Sequence, residues 1–133
     1  MDATFVRLGA LSAAVAVGAG AFGAHALRAR LTPEMLAVFE TAARYQMYHA
    51  LGIVLAAFVM ARRSRRVARA AGWFFAVGTV CFSGALYALA LSGVRALGAV
   101  APVGGASFLA GWICMAIAAR PGTDGTGATL RGP

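Results

Sequence analysis

The sequence predicts an all-α fold, an integral membrane four-helix bundle with an amphipathic interfacial helix leading into the second span. Three observations carry this. Of 133 residues, 61% are hydrophobic and only 12% charged, against roughly 45–50% and about 25% in soluble domains. Four runs free of acids and arginine are each long enough to cross a hydrocarbon core, which takes about 20 apolar residues at about 1.5 Å each. All twelve basic residues are arginine, and they cluster between those runs. That is the pattern of membrane topology rather than of a nucleic-acid-binding stripe, so no nucleic-acid partner is expected. The length allows one domain at most. Period-2 alternation is absent, which leaves helices rather than a closed barrel as the way to satisfy backbone polar groups in lipid.

The first span is predicted over residues 8–27. Ala24-His25-Ala26 has the small-x-small look of a signal-peptide cleavage site, but a 20-residue run is longer than the usual apolar core of such a peptide, and Asp2 joins Arg7 before it. The segment is therefore expected to remain as a span. Thr32 as N-cap and Pro33 in the first turn predict a helix start. From there residues 33–44 form the interfacial helix, which leads into a second span over 45–61. The third and fourth spans are predicted over 70–94 and 96–119. Residues 121–133, with Gly, Thr, Asp and Pro and no apolar period, read as a flexible, solvated tail after a membrane domain covering 1–120.

Arginine placement gives the orientation, because cytoplasmic loops carry the basic excess. Arg62, Arg63, Arg65, Arg66 and Arg69 fall between spans two and three, so that loop is expected to be cytoplasmic. Both termini then lie on the same side, in a bacterial inner membrane, adding Arg7, Arg120 and Arg131. Arg28, Arg30, Arg44 and Arg95 are left outside with Glu34 and Glu40.

Helices in lipid associate through close-packed small residues and a few polar contacts. Gly9, Ala13, Gly18, Gly20, Gly23 and Ala24 predict a smooth packing surface on the first span, and Pro102 predicts a kink near the outer end of the fourth. Gly18-Ala19-Gly20-Ala21-Phe22-Gly23 matches the dinucleotide pattern G-x-G-x-x-G, but that pattern works only as a strand-to-helix turn, and here it sits in an apolar helix. Cys81 and Cys114 fall at different depths and are expected to be buried free thiols.

The richest stretch is 32–49. At 100° per residue, Met35, Leu36, Phe39, Ala42 and Ala43 share one face, and Glu34, Glu40, Thr41, Arg44, Tyr45 and Tyr48 the other. Glu40 and Arg44 stand four apart and can pair, and the tyrosines suit headgroup depth. Gln46 falls on the apolar side, so a partner across the bundle is expected. The two histidines, His25 and His49, are both expected near the outer leaflet. Ionisable groups within a span are candidates for function, yet two imidazoles without a third ligand predict neither a metal nor a haem. Ser83, Tyr87, Ser92 and Ser107 are expected to be interhelical or backbone hydrogen bonders, and they assemble no nucleophile, base and orienter.

Four blocks resemble a known family. They are Gly20-Ala-Phe-Gly-Ala-His-Ala-Leu27, Phe39-Glu-Thr-Ala-Ala-Arg-Tyr-Gln-Met-Tyr-His-Ala-Leu51, Phe82-Ser-Gly-Ala-Leu-Tyr-Ala-Leu-Ala-Leu91, and Ala101-Pro-Val-Gly-Gly105 with Ala110-Gly-Trp112. In that order, over about residues 8–112, they are similar to the domain of unknown function 423 family, small bacterial membrane proteins of the YgdD and YwdK type, and to the mitochondrial transmembrane protein 256. The resemblance implies four spans and places His25, Glu40, Tyr45, Gln46, Tyr48, His49, Pro102 and Gly104 at motif positions. It brings no catalytic role with it. The arginine loop and the tail match no block.

The functional expectation is a non-catalytic accessory, assembly or scaffolding subunit, surrounded by the lipid bilayer and packed against itself or a larger membrane complex, with no cofactor. The alternative is binding or translocation of a lipid, quinone or small amphiphile at an outer-leaflet cluster of His25, Glu40, Arg44, Tyr45, Gln46, Tyr48 and His49.

Overall fold

The computed structural model describes residues 2–120; the expected tail lies outside them. Among the described residues every regular element is helical. Helix α1 runs Ala3–Phe22 and continues as a π-helical turn, Gly23–Leu27. Helix α2 is Pro33–Arg62. Helix α3, Arg65–Thr79, passes through a second π turn, Val80–Gly84, into α4, Ala85–Ser92. A 3₁₀ segment, Arg95–Val100, leads into α5, Ala101–Ala118.

The ends obey local chemistry. The Asp2 carboxylate accepts from the Thr4 amide at 3.2 Å, so α1 starts five residues before the expected boundary at Leu8. The Thr32 hydroxyl accepts from the Met35 amide at 3.2 Å and Pro33 opens α2, as expected. Gly93 ends α4 at φ +73°, a left-handed conformation that suits a residue without Cβ. Two expectations change here. The arginine-rich stretch is not an open loop: α2 runs to Arg62 and α3 begins at Arg65, because arginine is a good helix former. Pro102 does not kink a span; it lies in the first turn of α5, where its missing N–H leaves no bond unmade.

Among the described residues three continuous rods are long and apolar enough to cross a membrane, namely Ala3–Leu27, Arg65–Ser92 and Arg95–Ala118. Four spans were expected, the second entered from an amphipathic helix, and α2 is the one that falls outside this set. Its 30 residues reach about 45 Å, but it carries Glu34, Glu40, Arg44, Gln46 and His49. The packing accounts for this. Helix α2 is packed along both sides, by α1 and by α3, while α5 packs along α3 and meets α2 through side chains, so Gln46 and His49 turn inward to neighbours rather than to lipid.

The core between α2, α3 and α5 joins Ile53, Met60, Phe75, Phe108 and Met115, with Phe5 of α1 closing one end. Phenylalanine rings seat over glycines of neighbouring helices: Phe5 over Gly72, Phe108 over Gly78, Phe75 over Gly111 and Gly52. Gly104 is the closest approach to a neighbouring backbone, since a Cβ there would strike the backbone of Phe82. The expected smooth face of α1 divides. Gly9 meets Val54 and the Ala50 carbonyl, and Gly23 meets Phe39, but nothing lies within 4 Å of Gly18 or Gly20.

Candidate functional site

Midway along α2, the side chains of Gln46 and His49 are buried in the bundle, and each bonds to other helices. The Gln46 carboxamide nitrogen donates to the Ser12 carbonyl of α1 at 3.1 Å, with the Ser12 hydroxyl at 3.5 Å. Its oxygen accepts from the Tyr87 hydroxyl of α4 at 2.9 Å. One side chain thus ties three helices together, and the expectation of a partner for Gln46 is met twice.

His49 is held on both ring nitrogens. Its Nδ1 lies 2.7 Å from the Tyr45 carbonyl, and its Nε2 lies 3.3 Å from the indole nitrogen of Trp112 on α5. A carbonyl only accepts and an indole N–H only donates. Nδ1 therefore carries the proton and Nε2 accepts, which selects one neutral tautomer. The ring also stacks on Phe108, with centroids 3.3 Å apart and planes within 3°, while Phe75 and Tyr45 flank it at 5.6 and 6.1 Å. Tyr45, half out of the bundle, packs on Phe82 at 4.9 Å.

The outer-leaflet cluster expected from the sequence does not assemble as one site. His49 stands about 24 Å along α2 from Pro33 and about 20 Å from Arg62, near the middle of the helix. The charge of Arg44 suggests a membrane boundary there, but the helix continues unbroken beyond it. His25 is exposed in the π turn at the far end of α1. Gly23 meets Phe39 and Gly9 meets Ala50, so the antiparallel register separates the two imidazoles by about 20 Å along the helix axes. Glu40, Arg44 and Tyr48 are exposed and line a shallow groove of about 350 Å³ with Ala16, Gly20 and Met47. The expected Glu40–Arg44 pair is not made: the ion pairs among the described residues join Asp2 to Arg65 and Arg69. Both partners are exposed, and holding two long exposed side chains together gains little.

Of the expected hydrogen bonders, Tyr87 binds Gln46, Ser92 donates to the Ala88 carbonyl at 2.6 Å, and Ser107 donates across to the Phe74 carbonyl at 2.7 Å. Ser83 departs from the expectation. It is buried with no partner for its hydroxyl, because it sits in the π turn, whose wider winding displaces the carbonyl one turn back that a helical serine would reach. Cys81 and Cys114 are free thiols as expected, but half-buried rather than buried. Three participants went unnoticed in the sequence: Ser12, Phe108 and Trp112 as a partner of His49. Ser12 had a readable signal, as the one hydroxyl between Thr4 and His25 in a helix adjoining a buried glutamine.

Beside Gln46 the wall of the bundle opens. Helices α1 and α3 touch at one end, where Phe5 meets Trp73 edge-on at 5.5 Å, and then diverge to leave a cleft of about 580 Å³ floored by α2. Leu8, Leu11, Val15, Trp73, Val77 and Val80 line it, and Ser12, Gln46 and Thr79 are its polar atoms. The arrangement as a whole has the chemistry of a fastening beside an apolar slot. Its polar groups are spent on one another, and among the described residues no three His, Cys, Asp or Glu side chains gather as a metal site would need.

A family model described as a protein of unknown function (DUF423) matches residues 19–105. A UPF0382 membrane protein of Staphylococcus epidermidis is 47% identical over 86% of this chain and 93% of its own. The UPF0382 membrane protein YwdK of Bacillus subtilis is 43% identical over 86% of this chain and 94% of its own. No solved structure matches. Gly23 interlocks with Phe39, Gln46 with Tyr87, Gly104 with Phe82, and His49 with Trp112.

Proposed function

Because this chain belongs to the DUF423 family of membrane proteins of unknown function, we propose that it works without catalysis, as an accessory or assembly subunit that offers α1 to a second transmembrane helix. The observation that carries this reading is the outward side of α1. Opposite the face that meets α2, Ala10, Ala14, Gly18 and Ala21 are exposed in one stripe, and Gly18 has nothing within 4 Å. Small side chains let another backbone approach closely, the main source of helix association in lipid. In this reading α2 crosses the bilayer with the three apolar rods, giving four crossings of a bacterial inner membrane. The arginine-rich end, with both termini, faces the cytoplasm.

Cross-linking tests it. In a C81S/C114A background, A14C or G18C in native membranes is expected to give a defined adduct, either a dimer of this chain or one partner protein. A particle of monomer mass in mild detergent, with the thiol introduced by G18C open to small reagents and yielding no adduct, would sink the proposal.

A second reading is favoured by the cleft between α1 and α3. Its size suits a small ligand and its walls are apolar, so with Gln46 and Ser12 already bonded to each other it would take an apolar body rather than a polar head. The candidate ligand is a lipid, a quinone or another small amphiphile, held at mid-bilayer rather than in the outer-leaflet cluster. Mass spectrometry of the purified protein should find it retained, and Val77→Trp, which fills the cleft, should release it. No retained ligand, or the same occupancy in the variant, removes this reading.

A further inference from the structure

The corner between α2 and α3 concentrates charge to an unusual degree. Arg62 closes α2, Arg63 and Ser64 make the turn, and Arg65, Arg66 and Arg69 open α3. All five arginines are exposed. The one acid on this corner among the described residues is Asp2, 3.8 Å from Arg65 and 3.9 Å from Arg69, a pair of long, solvated contacts that neutralise little. The helix start adds to the imbalance. The first turn of α3 holds no acidic residue, and Ser64 makes no side-chain cap, so its free amides point positive charge at the same arginines.

Two features say what would balance this charge. The residues are arginine, whose planar fork matches a phosphate with two parallel bonds. The apolar core begins at once beyond them, with Met60 on α2 and Ala68 and Ala71 on α3 already buried in it. The guanidinium groups therefore lie at the edge of the apolar bundle, the level that lipid phosphates would occupy if the bundle spans a bilayer. We propose that the α2–α3 corner is a binding surface for anionic phospholipid headgroups, with Arg62, Arg63 and Arg66 as the primary contacts and Asp2 as an internal competitor for Arg65 and Arg69. This rests on the placement of the chain in a bilayer and is independent of whether α1 meets a partner.

The test uses the full-length protein in neutral detergent, titrated with mixed micelles carrying dioleoyl-phosphatidylglycerol or dioleoyl-phosphatidylcholine, and read by thermal midpoint and by native mass spectrometry. Phosphatidylglycerol should raise the midpoint and leave adducts; phosphatidylcholine should do neither. Each arginine near a charged surface is worth about fivefold in affinity, so R62Q/R63Q/R66Q should weaken binding on the order of a hundredfold. Its own melting in phosphatidylcholine should match the parent, showing that the variant folds. D2N keeps a capping side chain for α1 and should tighten binding. Added salt should weaken it. Equal response to the two lipids, or undiminished binding by the triple variant, would overturn the proposal. So would an equal effect of soluble glycerol phosphate, which would reassign the surface to free phosphates.

Discussion

The seam where α5 meets α3 and the π turn that follows it, and the outward half of α1, are written in the same small residues and put them to opposite use. On the seam, every glycine that approaches a neighbour receives something. Phe108 fills the notch at Gly78, Phe75 fills the notch at Gly111, and Gly104 lies against the backbone of Phe82. On α1, Gly18 and Gly20 face empty space, and Leu11, Val15 and Val17 stand outward beside them. A small residue is half of a packing instruction, and the other half is a ring or a backbone on the facing helix. Where that half is present, the glycine fixes the fold; where it is absent from this chain, the glycine remains available.

One identical substitution made in both places breaks or sharpens this contrast. Gly104→Ala should be the most damaging, because its new methyl meets backbone rather than a movable side chain. Overpacking of this kind costs about 1–3 kcal/mol, read as a lowered thermal midpoint of the solubilised protein. Next comes the polar fastening. Gln46→Leu removes the bonds to Ser12 and Tyr87, and Trp112→Phe removes the bond to His49. Interhelical bonds in membranes average about 0.6 kcal/mol each and reach about 1.7, so the glutamine variant should lose more than the tryptophan variant. Gly18→Ala should be the mildest. The solubilised protein should melt unchanged or slightly later, since alanine favours a helix over glycine by about 1 kcal/mol. Equal damage from Gly18→Ala and Gly104→Ala would erase the distinction.

Much of the architecture was legible because hydropathy, caps and charge speak locally. Thr32 and Pro33 announced the start of α2, and the apolar runs announced the rods. The errors share a cause. Pro102 and the arginine cluster suggest their usual habits, a breaker and a loop, whereas their places are set by neighbours: Pro102 by the first turn of α5, the arginines by two helices that meet almost without a connector. The candidate site was half legible. The need of Gln46 for a partner follows from burying a carboxamide, but which hydroxyls would answer depends on the register of α1 and α4 against α2. His25 and His49 group together in sequence because each lies close to an arginine. Their separation needed the length of α2, and α2 does not stop at Arg44.

The manner in which His49 is held has a consequence for ion movement. To pass a proton along the bundle, an imidazole must take one at one nitrogen and yield one at the other. Here uptake at Nε2 would set two N–H groups against each other and push the indole of Trp112 away, loosening α5 from α2. The ring that looks best placed to conduct is bolted shut by the contacts that put it there.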